Sequence, residues 1–228
     1  MLSTADHEKI ASAVSAAEAR TSGEIFCIAT EEVSQYREIP LAWAAAIALI
    51  APPLLLIAGI HPWTWAVQES DGWSLAPTAG VQTLIAEAIG LYALAQAGLF
   101  AFVALLVAIP GVRRVLTPRF LKRHRVKRTA YAHFSSTGLI NAPNRTGVLI
   151  FASLKDRQVE IVADKAIHDA VGDPVWDAAV KTLIKGMKKS DPAKGFVQAV
   201  EVCGAALAEH FPSEGPHENR FPDGLVEV

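Results

Sequence analysis

The sequence predicts an α/β protein, in which a sheet flanked by helices is interrupted by a hairpin of two transmembrane helices. Two observations lead to this prediction. Two apolar stretches, Leu41 to Ile60 and Leu84 to Ile109, are each long enough to cross a hydrocarbon core as a helix. In the polar remainder, helical periodicity alternates with short runs of β-forming residues, and these runs lie on both sides of the apolar stretches.

The first predicted element is a helix from Ser3 to Arg20, with Ser3 or Thr4 as its cap. Thr21 to Gly23 ends this helix. The run from Glu24 to Thr30 is almost wholly apolar, which is typical of a strand covered on both faces. Such a strand needs partners, and the segment that ends at Pro40 is too short to supply them. The soluble domain is therefore predicted to be split, with the hairpin inserted inside it.

The two apolar stretches are interpreted as membrane spans. The first has no charged residue, and the second has only Glu87. The alternative, two core helices of a large soluble domain, requires a polar stripe on each helix, and neither stretch shows one. Glu87 and Gln96 are the only polar groups that the spans offer to an ion or proton pathway, so a pore or pump is not predicted.

The positive charges predict an orientation. Lys and Arg are absent between Arg37 and Arg113, whereas eight of them crowd between Arg113 and Arg128. The positive-inside rule places both chain ends in the cytoplasm, and the connector 61–81, which has three tryptophans, outside. A helix predicted from Pro118 to Ser135 would lay its early turns along anionic headgroups. Because this topology accounts for the basic cluster, nucleic-acid binding is not predicted.

The second half of the chain supplies further strands and helices. Two β-runs, Gly147 to Ser153 and Val159 to Ala163, are joined by a short charged connection and predict a hairpin. Residues 141–146, rich in Asn, Pro and Arg, predict a loop before it. Asp173-Pro174 opens a helix as cap and first residue, and an apolar stripe follows. The last helix is predicted from Pro192 to His210.

These elements divide the chain into four predicted segments. They are the first part of a cytoplasmic domain (1–36), the transmembrane hairpin with its short outer loop (37–112), the second part of the domain (113–212) and a loosely ordered tail (213–228).

The net charge of -2 conceals the contrast between the basic cluster and the acidic C-terminal half. Cys27 and Cys203 lie in apolar runs and are predicted to be reduced, buried thiols.

Several short motifs carry a resemblance to a known family. They are Gly23-Glu24-Ile25, Gly147-Val148-Leu149, Arg157-Gln158-Val159-Glu160-Ile161, His210-Phe211-Pro212 and Asn219-Arg220-Phe221-Pro222-Asp223. The first three resemble strand motifs of the TPM domain. The last two resemble the C-terminal pattern of a bacterial integral-membrane branch, in which a hairpin follows the first strand. The resemblance implies a TPM-like sheet flanked by helices in a multi-pass protein of the bacterial inner membrane.

The resemblance implies two kinds of activity. Some TPM members are associated with phosphatase activity or divalent-cation binding, and others act as accessory factors of membrane proteins. Many members carry a Gly-x-Gly turn after the third strand, where this sequence has Ala163-Asp164-Lys165.

One polar cluster is a candidate for chemistry. It consists of Asp164, His168, Asp169, Asp173 and Asp177. Carboxylates with one imidazole could hold Mg²⁺, Mn²⁺ or Zn²⁺, and Asp164 and His168 would share a face if their segment is helical. We take Asp164, His168 and Asp173 as candidate metal ligands and predict no other cofactor. The alternative, which we favour, is that Asp164 ends a strand, Asp173 caps a helix and the others are solvated.

The sequence contains no motif that defines an enzyme. It lacks a nucleophile elbow, a Walker loop, a dinucleotide-binding turn and a zincin motif. Ser135, Ser136 and Ser153 have no His and acid at readable spacing. Glu160 is expected at an exposed position of the sheet, since alternation leaves one face polar.

Two classes of function remain. The first is a membrane-anchored TPM-like module that acts as an accessory or binding factor for another membrane protein, with the lipid bilayer as its other partner. The second is a divalent-metal-dependent phosphatase at the inner membrane surface, which is supported by family analogy alone.

Overall fold

The computed structural model describes residues 2–59, 78–137, 147–213 and 224–228. The chain divides into two compact units, one formed by Met1–Gln35 with Pro118–Val228 and the other by Tyr36–Thr117. Residues 61–77 of the predicted outer loop, the loop 141–146 and the motif Asn219 to Asp223 lie outside the described residues, whereas residues 78–81 of that loop are helical.

Helix α1 spans Thr4–Glu18 and begins with a capping box. The backbone N–H of Asp6 donates to Oγ of Ser3, and the backbone N–H of Ser3 donates to Oδ2 of Asp6, both at 3.2 Å. This exchange satisfies backbone donors that the first turn leaves unpaired. Of the two predicted caps, Ser3 and Thr4, the structure has Ser3.

The sheet has four strands in the order β3-β2-β1-β4. They are β1 (Glu24–Thr30), β2 (Gly147–Ser153), β3 (Gln158–Ala163) and β4 (Leu225–Glu227). β1 pairs in parallel with β2 from Glu24 opposite Gly147 to Thr30 opposite Ser153, and β3 pairs antiparallel to β2. Strands from before and after the apolar stretches therefore share one sheet. The predicted α/β class, with a sheet flanked by helices, is confirmed.

The chain end differs from the sequence prediction. The segment from 213 is expected to be loosely ordered, but Leu225–Glu227 forms β4 and pairs in parallel with β1. Hydrogen bonds also hold β4 in position. One of them, at 2.7 Å, runs from the backbone N–H of Leu2 to Oε1 of Glu227. A strand of three residues is too short to produce an alternating pattern in the sequence.

Helices cover both faces of the sheet. α5 (Arg119–Ser136) lies on one face, where Val126, Ala130 and Phe134 pack on side chains of β1, β2 and β3. The other face is covered by α1, α6 (Lys165–Val171), α7 (Asp173–Lys188) and α8 (Pro192–His210).

Both cysteines are free and buried in this second layer, as predicted. Burial raises the pKa of both thiols, that of Cys203 to about 12.

The His210-Phe211-Pro212 motif joins the end of α8 to the start of the sheet. The carbonyl oxygen of Phe211 accepts from Oγ1 of Thr21 at 2.6 Å and from the backbone N–H of Ser22 at 3.0 Å. Pro212 and Thr21 form an isolated β-bridge. The motif therefore fixes the turn that leads into β1.

The second unit contains α2 (Glu38–Ile57), α3 (Thr78–Ala108) and α4 (Pro110–Leu116). Within the described residues, Glu38–Leu55 and Ile89–Ala108 are long and apolar enough to cross a membrane, and only 22% and 11% of these windows are buried. The core helix of a soluble protein is mostly buried, so this exposure favours the membrane interpretation.

The two long helices also contact each other. Nε2 of Gln96 donates to the backbone carbonyl of Ala48 at 3.0 Å. Ala44 and Ala48 are buried, whereas large side chains such as Leu49 and Leu94 are exposed. Small residues and an interhelical hydrogen bond are the contacts expected between helices in lipid.

Candidate functional site

A groove of about 710 Å³ follows β3, which is one of the two edge strands of the described sheet. We call it the edge groove. Its floor is the strand Gln158–Ala163. One wall comes from α5 on one face of the sheet, and the other wall comes from α7 and the nearby α6 on the opposite face. The groove is thus built around a strand edge with a helix on each side.

The α5 wall is basic and aromatic. Arg123, Lys127 and Tyr131 line it at intervals of four residues, which places them on one face of the helix. Nζ of Lys127 lies 4.0 Å from Oε1 of Glu160 and 5.8 Å from the centre of the Tyr131 ring. This wall therefore presents two cations to one carboxylate of β3.

Glu160 is half-buried in this setting. Its side chain is 17% exposed because α5 covers this face of β3, so the predicted exposed position is not found. Burial raises the pKa of Glu160 above its ordinary value, and the charges of Lys127 and Arg123 act in the opposite direction. Glu160 is thus part of the groove rather than of an open surface.

The α7 wall combines an apolar bed with an acidic rim. Trp176, Val180 and Ile184 line the groove from α7. Trp176 is 8% exposed, and its indole N–H has no hydrogen-bond partner within the described residues. Asp173 and Asp177 lie at the same wall. The two walls therefore differ in chemistry.

The predicted metal ligands are only partly brought together. His168 and Asp173 both line the edge groove, with Nε2 of His168 3.3 Å from Oδ1 of Asp173. Asp164 is half-buried at the N-cap position of α6 and is not among the groove-lining residues. Within the described ranges, no group of three or more His, Cys, Asp and Glu side chains could hold a metal ion. A metal site at these three residues stays a prediction.

The predicted helix cap at Asp173 is shifted by one residue. α7 begins at Asp173 itself, and Gly172 occupies the N-cap position with a φ of 81°. Asp173 and Pro174 therefore both lie in the first turn, where a carboxylate is favoured by the helix dipole and proline loses no hydrogen bond. The remaining acids of the cluster form ion pairs along their helices, Asp169 with Lys165 and Asp177 with Lys181.

Part of the basic cluster anchors α5 to its own domain. Lys122 lies 3.8 Å from Asp156, whose side chain is fully buried and accepts from Oγ of Ser153 at 3.2 Å. Arg125 donates to Oγ of Ser34. These contacts give a structural role to basic residues that the positive-inside rule treats only as topology signals.

Sequence reasoning did not find the α5 wall of the groove. The four-residue spacing of Arg123, Lys127 and Tyr131 can be read from the sequence, but nothing in the sequence shows that these residues border β3. The acidic residues were noticed because they are adjacent in the chain. Residues joined only by tertiary packing carry no such local signal.

Comparisons with known proteins agree with this fold. The TPM domain model matches residues 111–206. The NMR structure of the BA42 protein from the psychrophilic bacterium Bizionia argentinensis is similar with a TM-score of 0.55 and 17% sequence identity, covering 100% of this chain and 96% of that chain. At this identity the likeness shows the fold alone. No curated protein matches the chain.

The fold and the groove define an α/β domain with an open groove along one edge of its sheet. Residues 111–206 match the TPM domain model, and the predicted resemblance to that family is confirmed. Assignment to a membrane branch of the family stays a prediction.

Proposed function

We propose that this chain is a membrane-anchored TPM module that binds another membrane protein as an accessory factor. The observation that carries this proposal is the edge groove, an open concave surface of about 710 Å³ with a basic wall and a partly apolar wall. Concave surfaces with an apolar bed and a few placed polar groups are typical binding sites. The two apolar helices of the second unit supply the anchor.

The proposed location is the bacterial inner membrane, with both termini in the cytoplasm and the TPM domain at the inner surface. The asymmetry of Lys and Arg around the spans supports this orientation. An anchored domain meets other membrane proteins at a high effective concentration, because both partners are confined to one surface. A modest groove can therefore support a functional interaction.

A second candidate function is a divalent-metal-dependent phosphatase. The observation that favours it is the pair of His168 and Asp173, which line the edge groove at 3.3 Å from each other. An imidazole and a carboxylate are suitable ligands for Zn²⁺ or Mn²⁺. We rank this function second because two ligands hold a catalytic metal weakly unless a third is added.

The accessory function is tested by crosslinking in intact bacterial membranes. The tagged full chain is crosslinked, solubilised and purified, and the proteins recovered with it are identified. The control is Phe26→Asp, which places a charge in the buried layer between β1 and α5 and unfolds the domain while leaving the spans unchanged.

We expect a membrane protein to be enriched with the wild-type chain and to be lost with Phe26→Asp. Recovery of the same proteins with the wild-type chain and with Phe26→Asp would show that the apolar helices alone are sufficient to bind them. That outcome, or no enriched membrane protein at all, contradicts the accessory function.

A further inference from the structure

We propose that the edge groove binds an extended segment of a partner protein by adding a strand to the outer edge of β3, and that this segment alternates acidic with apolar side chains. The inference deepens the proposed function and rests on it for the partner. The groove itself can be tested separately. Each part of the proposal follows from a feature of β3 or of the two walls.

β3 offers a backbone edge to a partner. Its inner edge pairs with β2 along the whole strand, from Ser153 opposite Gln158 to Val148 opposite Ala163. No strand of the described residues pairs with its outer edge. Natural proteins protect such edges with proline, lysine or a bulge, and the sequence Gln158 to Ala163 contains no proline or lysine. Glu160 is the one charged side chain of this strand and it pairs with Lys127, so among the described residues the outer backbone edge is available for strand addition.

The side chains of β3 alternate between the two walls. Val159, Ile161 and Ala163 pack toward the layer that contains α7. Glu160 and Val162 face α5. A strand added to this edge continues the same pleat, so its successive side chains point alternately to the α5 wall and to the α7 wall.

The chemistry of each wall then selects a side chain. The α5 wall has two cations, Arg123 and Lys127, against the single carboxylate of Glu160, so an excess of positive charge meets every second side chain of the added strand. Acidic residues fit these positions. The α7 wall has the apolar bed of Trp176, Val180 and Ile184, so apolar residues fit the positions between them.

The acidic rim strengthens this assignment. On the α6 and α7 side of the groove, Asp169, Asp173 and Asp177 outnumber Lys165, so this side disfavours an acidic side chain and favours one register of an alternating segment.

A partner segment fits the groove better than a second copy of this chain. If the β3 strands of two copies paired with each other, the α5 and α7 helices of each copy would have to share the space beside β3 with those of the other copy. One extended segment enters between the walls without this conflict. A lone strand is therefore the proposed occupant, and dimerisation through β3 is an outcome that the test must detect.

The test measures binding of synthetic peptides to the purified full chain in detergent. The probe is a fluorescein-labelled peptide that alternates Glu and Val over eight residues. The control peptides are one of the same composition with its Glu residues grouped at one end, and one in which Lys replaces Glu. We expect the alternating acidic peptide to bind at least fivefold more tightly than either control.

A double variant, Arg123→Gln with Lys127→Gln, tests the α5 wall. Neutral residues are used because they add no charge beside Glu160. The matched control is Arg119→Gln with Arg128→Gln, which removes two exposed charges of the same helix outside the groove. We expect at least a fivefold loss of affinity in the first variant and less than a twofold change in the second.

Hydrogen exchange provides the readout for strand addition. Amides of residues 158–163 should exchange more slowly when the alternating peptide is bound, and amides of β4 should not change. Equal binding of all three peptides, equal effects of the two double variants, unchanged exchange in β3, or a dimer crosslinked through β3 would each overturn the proposal. Membrane-protein capture that persists in the Arg123→Gln/Lys127→Gln variant would refute the groove proposal and leave the accessory function standing.

Discussion

At the scale of single residues, Glu160 lies in a different environment from the exposed position that the sequence predicts. It lies on β3 under α5, half-buried and 4.0 Å from Nζ of Lys127. Burial disfavours its charged form and raises its pKa, although Lys127 and Arg123 favour ionisation. The protonation of Glu160 therefore changes both the charge of the groove and the stability of the domain.

The pH dependence of stability should report this shift. Because the pKa of Glu160 is higher in the folded than in the unfolded chain, the folded state binds more protons in the interval above the ordinary value of 4.5. Its contribution to stability is present below this interval and is lost as the pH rises through the raised pKa. We expect the melting temperature of Glu160→Gln to rise relative to that of the wild type from about pH 4 to about pH 7.

The control for this measurement is Glu201→Gln, which removes an exposed carboxylate of α8. Its melting temperature should stay parallel to that of the wild type over the same range. A difference between Glu160→Gln and the wild type that is constant or shrinks with rising pH would show that Glu160 has no raised pKa.

The effect of divalent metals on stability tests whether the candidate ligands bind a metal ion. A bound ion stabilises the folded state by about 2.7 kcal/mol at a hundredfold excess over its Kd. We expect the melting temperature of the purified chain to be indifferent to Mg²⁺, Ca²⁺ and Zn²⁺, because His168 and Asp173 are exposed and paired with each other. A metal-dependent rise that Asp164→Ala abolishes and Glu201→Ala preserves would favour the phosphatase instead.

At the scale of elements, α7 and α8 pack closely against each other. A Cβ atom on Gly186 would lie 2.6 Å from Cα of Gly195 and 2.9 Å from the carbonyl oxygen of Asp191, both of which are backbone atoms. Backbone cannot move aside as a flexible side chain can. The absence of a side chain at Gly186 therefore sets the distance between the two helices, and through α7 the position of one wall of the groove.

Gly186→Ala should destabilise the domain. Alanine is favoured over glycine inside a helix by about 1 kcal/mol, but the clash with α8 costs about 1 to 3 kcal/mol or more when the helices must separate. We expect a lower melting temperature, measured on the purified chain. The control Gly98→Ala, with open space around the added Cβ, should show no loss. Equal stability of the two variants would show that α7 and α8 adjust freely.

The elements differ in how far the sequence could predict them. The helix cap at Ser3 or Thr4, the span of α8 and the hairpin of β2 and β3 depend on local spacing, and each is found in the structure. β4 was missed because its three residues depend on pairing with β1 rather than on their own pattern. The α5 wall of the groove was missed for the same reason, since Lys127 and Glu160 meet only through packing.

At the scale of the whole molecule, the insertion of the spans restricts the topology. The first unit is formed from residues on both sides of the hairpin, and its sheet joins Glu24–Thr30 directly to Gly147–Ser153. Strands that exchange backbone hydrogen bonds must lie on the same side of a membrane. An even number of crossings between 36 and 117 satisfies this requirement, and two candidate spans lie there. The proposed hairpin is thus consistent with the pairing of β1 and β2.

Cysteine labelling in intact cells tests the complete topology. We expect a membrane-impermeant maleimide to label Gly72→Cys, in the proposed outer connector, and to label Lys188→Cys, on the exposed face of α7, only after the cells are opened. The wild-type chain is the background control, because Cys27 and Cys203 are buried with raised pKa values and hold little reactive thiolate. Labelling of Lys188→Cys in intact cells would place the TPM domain outside and reverse the proposed orientation. Labelling of both variants only after the cells are opened would show that the connector does not lie outside the membrane. The prediction of a transmembrane hairpin would then be wrong.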